Sequence, residues 1–123
     1  MSENLKERLR LIGSDAVFSD CRKYRYALWR RWDMEHPLIL FIGLNPSTAD
    51  ETKNDPTIRR CINFAKDWGY GGVMIANLFA FRSTSPEIMK QQKDPIGKEN
   101  DLWIGKLADA SKLVIAAWGN HGL

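Results

Sequence analysis

Three apolar runs dominate the sequence: residues 38–44 ("LILFIGL"), 72–81 ("GVMIANLFAF") and 113–119 ("LVIAAWG"). The first shows no polar alternation and reads as a strand covered on both faces, and the other two read as a second and a third apolar strand. Two stretches between them carry helical signals. In "DPTIRRCINFAKDWG", Asp55 suits the N-cap, Pro56 the first helical position and Gly69 the stop. Ile58, Cys61, Ile62 and Ala65 recur there at helical spacing as a buried stripe. In "PIGKENDLWIGKLADASK", Leu102, Trp103, Leu107 and Ala110 fall on one side of a second helix. Upstream, "SENLKERLRLIG" predicts a short helix ended by Gly13, and "AVFS" with "KYRYALWRRW" predicts two strands or a hairpin. Strands alternating with helices predict a three-layer α/β domain with a mainly parallel central sheet flanked by helices.

At 123 residues, with 44% hydrophobic and 27% charged side chains, the chain suits one folded domain spanning 1–123. No apolar stretch reaches the roughly 20 residues of a membrane span. The opening "MSENLKERLR" lacks the apolar segment of a signal peptide, which predicts a cytoplasmic location. Cys21 and Cys61 make no disulfide framework and have no metal-ligand spacing, so no metal or cofactor is expected. A net charge of +3 admits a polyanionic partner without requiring one. Dinucleotide, P-loop and nucleophile-elbow motifs are absent.

Ligands of parallel α/β sheets sit at the carboxyl ends of strands. The first run ends in Gly43-Leu44-Asn45-Pro46-Ser47-Thr48, with Asp50 and Asp55 beyond. The second holds Asn77 and leads to Arg82-Ser83-Thr84, and the third leads to Asn120 and His121. Amides, hydroxyls, an arginine, a histidine and carboxylates would then share one side of the sheet. Each has a plainer reading: Gly43, Pro46 and Ser47 as turn formers, Asp55 as a helix cap, Arg59 and Arg60 as solvated helix residues. Asn77 resists it most, because a buried amide left unpaired costs about 1–3 kcal/mol.

"CRKYRYALWRRW" interleaves five basic residues with four aromatics. Such a pattern suits single-stranded nucleic acid. The favoured reading is an outer strand whose aromatics cover the core while its arginines face water.

"LNPSTADETKNDPTIRR", "NLFAFRSTSP" and "AAWGNHG", in this order and spacing, resemble the uncharacterised bacterial and phage family DUF1643, from about Tyr24 onward. More distantly, the layout is similar to the uracil-DNA glycosylase superfamily, particularly its mismatch-specific branch. That resemblance implies a glycosylase-like fold, with Gly43, Leu44, Asn45 and Pro46 matching the water-positioning loop and Asn77 the residue that reads the base edge. It departs at Ser47, where those enzymes usually carry glycine. The resembled families usually continue through another helix and strand, so a carboxyl-terminal segment is expected to be missing.

The chemistry so implied is hydrolysis of an N-glycosidic bond. Asn45 would orient the water, Asp50 or Asp55 would act as base, and Asn77 would pair with the base. Arg82 would hold phosphate, with Gly43, Pro46, Ser47, Asn120 and His121 completing the pocket. An amide has no useful basicity, so any such activity would be slow. Three functions follow: processing of a nucleobase or nucleotide in nucleic acid, non-catalytic binding of a nucleotide or nucleic acid, or protein interaction.

Overall fold

The computed structural model describes residues 2–118. Five strands, β1 (Gly13–Phe18), β2 (Arg25–Arg31), β3 (Leu38–Gly43), β4 (Gly72–Asn77) and β5 (Leu113–Ala116), form one sheet in the order β1-β2-β4-β3-β5. The helices are α1 (Ser2–Leu9), α2 (Pro56–Asp67), α3 (Pro86–Lys90) and α4 (Asn100–Ala110).

The three apolar runs do supply neighbouring parallel strands, with β3 between β4 and β5. The sheet is nevertheless mixed, not mainly parallel, because the β1–β2 and β2–β4 ladders are antiparallel. The reason is connection length. Residues 32–37 link β2 to β3 and fall short of the dozen or so that a parallel crossover needs. By contrast, α2 carries the chain from β3 to its parallel neighbour β4.

Each face of the sheet is covered. Leu5 and Leu9 of α1 and Trp103 and Leu107 of α4 pack on Trp29, Leu40 and Met74. On the opposite face, Ile58, Cys61 and Ala65 of α2 pack on Leu28, Ile39, Phe41, Val73 and Ile75. Strand alternation assigns these residues: Leu38, Leu40 and Ile42 of β3 face α4, while Ile39 and Phe41 face α2.

The α2 signals hold. Asp55 accepts the Ile58 N–H at 2.9 Å, Pro56 starts the helix, and Gly69 follows the C-cap with φ +81°. The second predicted helix is shorter, and Leu102 lies outside the buried stripe at 57% exposure. Ser85 and Pro86 start α3, which the periodicity did not announce because five residues are too few to show one. At the far edge, Leu113 and Val114 of β5 are exposed. No described helix is long and apolar enough to cross a membrane.

Facing along α4 can be tested with two leucines. Leu107→Ala, at a fully buried site, should destabilise by about 2–5 kcal/mol. Leu102→Ala should stay within about 0.5 kcal/mol of the parent in urea unfolding.

Candidate functional site

The site begins with an irregularity in β2. Val17 pairs with Ala27 but Phe18 pairs with Arg25, so Tyr26 is an extra residue. Tyr26 and Ala27 both join the α1/α4 core. Strict alternation would have sent Arg25 to that side too. The bulge instead turns it to the α2 face, alongside Leu28 and Arg30.

Arg25 is 2% exposed and Arg30 5% exposed, so the expectation that these arginines face water is corrected. Nor is β2 an outer strand, since β1 lies outside it. Arg30 donates from Nη2 to the carbonyls of Asp50 (2.6 Å) and Lys53 (3.0 Å), and from Nε to Asn54 Oδ1. Arg25 donates from Nη1 to the Ala49 carbonyl at 3.2 Å and from Nη2 to Asn77 Oδ1 at 3.3 Å. Its Nε is buried without a partner among the described residues. Burial pulls the Arg25 pKa down to about 10, with the Asp55 charge opposing, so the group stays cationic at neutral pH.

The ends of β3 and β4 are laced together beyond the ladder. The carbonyls of Gly43, Leu44 and Pro46 accept the N–H groups of Leu78, Phe79 and Ser83. Asn45 Nδ2 donates to the Ser83 carbonyl at 2.9 Å and to the Pro46 carbonyl at 3.2 Å. A Cβ at Gly43 would lie 2.9 Å from Asn77 Nδ2, so only glycine leaves that amide its place. Asn100, fully buried at the start of α4, donates to the carbonyls of Asn77 and Leu78.

Between these loops and the start of α2 is a recess of about 40 Å³, lined by Arg25, Gly43, Asn45, Ser47, Asp55 and Asn77 among others. At about 10–15 Å³ per water it holds about three waters, far below the roughly 300–1,000 Å³ of a small-molecule pocket. Asp55 is its carboxylate, and both oxygens are occupied, by the Ile58 and Ala49 N–H groups. Cys61 also lines it, its thiol pushed up to about 12 by burial and therefore neutral.

A second, open cleft of about 390 Å³ adjoins this recess through Ser47, which lines both. Its walls bring Arg22 and Lys23 together with Thr48, Arg82, Ser83 and Thr84. Arg22 and Arg82 stack their guanidinium groups over the Phe18 ring, at 4.0 and 4.7 Å from its centroid. Arg22 also makes a bidentate pair with Glu51, at 2.7 and 2.8 Å. Arg82 has no ion-pair partner among the described residues and donates to the carbonyls of Arg22 and Thr48.

Gly43, Asn45, Pro46, Ser47, Asp55 and Asn77 thus meet in the recess, and Arg82 stands in the adjoining cleft. Asp50 lines neither. Its carboxylate accepts the N–H groups of Thr52 and Lys53, which hold it below the usual carboxylate range. Asn120 and His121 lie outside the described residues. Arg25, Thr57 and Asn100 were not read as site residues. A bulge hid the first, and the others sit at helix starts where polar residues are ordinary. Among the described residues no cluster of His, Cys, Asp or Glu is arranged to hold a metal.

The two thiols should behave oppositely. Cys21 is exposed and lowered by the Ser19 hydroxyl and the Lys23 backbone. Ellman's reagent should therefore titrate one thiol in the native protein and two after denaturation, and Cys21→Ser should remove the native reaction.

No curated protein and no solved structure matches the chain. A family model does, over residues 25–123, a span that begins at the buried Arg25. The chain therefore belongs to the family described as "Protein of unknown function (DUF1643)".

Proposed function

We propose that this protein binds single-stranded nucleic acid or a nucleotide through its phosphates, in the cleft between Arg22–Lys23, Ser47–Thr48 and Phe81–Thr84, without breaking a bond itself. One observation carries the reading. Three cations and four hydroxyl side chains, drawn from three separate segments, line a single open cleft beside the strand ends. Guanidinium and ammonium groups with hydroxyl donors are the usual partners of phosphate oxygens. Phe18 supports the two guanidinium groups from beneath, and Phe81 lines the cleft as a flat surface against which a base can stack.

The residues favour binding over hydrolysis. Cleaving a glycosidic bond takes a base within reach of a water, together with a pocket that admits the nucleobase. The recess beside Asn45 admits about three waters. Its carboxylate, Asp55, is already engaged at both oxygens. A glycosylase-like ancestry would explain the strand-end loop without requiring that the chemistry persists.

Fluorescence anisotropy with a labelled single-stranded 12-mer tests this. Affinity should fall with salt with a log–log slope of about −2 for three phosphate contacts. Lys23→Ala and Arg82→Gln should each weaken binding several-fold and flatten that slope by roughly one contact's worth. Salt-independent affinity, or an Arg82→Gln variant that binds as the parent does, would overturn the reading.

A further inference from the structure

The recess has a buried hydrogen-bond donor on its wall with nothing to bind among the described residues. Arg25 Nε is buried and has no partner among the described residues, and the residue as a whole is 2% exposed. Its two bonded nitrogens meet only neutral oxygens, those of Ala49 and Asn77. No ion pair reaches it among the described residues, yet a buried cation is strongly unfavourable without an anionic partner. Asn77, 4% exposed, uses Oδ1 for Arg25, and its Nδ2 lies close against Gly43 on the wall of the same space. The Ser47 and Thr57 hydroxyls line the same space.

The start of α2 adds one more donor. The first turn of a helix leaves its N–H groups without intrahelical acceptors. Pro56 has none to offer, and Asp55 takes those of Ile58 and Arg59. The Thr57 N–H is left, at the positive end of the helix dipole. Asp55 is the acid on this wall, but its oxygens are turned to backbone N–H groups.

We infer that this recess takes one tetrahedral oxyanion, and that in the bound ligand it is a terminal phosphomonoester. The second half of that statement rests on the cleft reading above. Size selects the group: space for about three waters accommodates one phosphate and excludes a base. Connectivity selects the end. An internal phosphodiester carries chain on both sides and does not fit a recess this narrow, whereas a monoester presents three free oxygens and leaves by a single bond. Ser47, on the wall of both spaces, marks where the chain would pass into the cleft.

The test has two arms. In the first, labelled single-stranded 12-mers with a 5′-phosphate, a 3′-phosphate or hydroxyl ends are compared by anisotropy. One phosphorylated end should bind at least tenfold tighter, and the winning end fixes the polarity. In the second, inorganic phosphate is titrated against chloride of equal ionic strength while Tm is followed. A saturable rise is expected. Asn77→Asp keeps the shape and gives Arg25 a carboxylate, so the variant should fold while losing both the Tm response and the end preference. Thr57→Val should reduce both.

Equal affinity for all three ends overturns the terminal assignment and leaves the cleft reading standing. A Tm unresponsive to phosphate, or a response that survives Asn77→Asp, overturns the oxyanion site. Absent oligonucleotide binding alongside an Asn77-dependent phosphate response removes the cleft reading and retains the oxyanion site.

Discussion

Two arginines buried beneath a loop organise this molecule. Arg25 and Arg30 leave β2 on the same face and end on the carbonyls of residues 49, 50 and 53. Loop carbonyls hidden from water need donors, and a guanidinium can serve several from one stem. Desolvating two cations is unfavourable, and among the described residues no carboxylate forms an ion pair with either. The loop therefore gains a fixed path from β3 to α2, and the protein retains positive charge behind it. A stretch without regular secondary structure is as determined as the sheet it rests on.

The same logic extends to the neighbouring loop. The parallel pairing of β3 with β4 does not stop where the strands do, because backbone bonds continue from Gly43 through Pro46. Asn45 adds a side-chain bond across the same gap, and Asn100 holds the carbonyls of Asn77 and Leu78 at the end of β4. Asn45 thus works as a brace between loops.

Much of the architecture was legible. Asp55-Pro56 and Gly69 mark α2 because capping and helix termination are local chemistry. Unbroken apolar runs mark β3 and β4 because burial on both faces removes alternation. The strand directions were misjudged where connection length, not composition, decides them. Leu102 was misplaced because α4 is amphipathic only over Trp103 and Leu107. At the site, Asn77 could be found from its cost of burial, and Gly43 from its neighbour. Arg25 could not. Period-two counting groups it with Ala27 and Trp29, and nothing in the letters around Tyr26 announces that the count changes there.

That change of count has an implication for comparing related chains. A strand has only two sides, so each residue's side is a matter of parity, and Tyr26 reverses the parity of everything before it. A relative with the same letters here and a regular, unbulged strand could keep its composition and every strand. Its guanidinium would nonetheless emerge among the aromatics of the α1/α4 layer, and the recess would be left without its cation. A relative lacking both Tyr26 and the bulge would instead keep its arginine on the α2 side, because the two changes cancel. Charge in this site therefore depends on where the strand bulges as much as on the identity of an arginine, and a single gap in an alignment here is no sign of its loss.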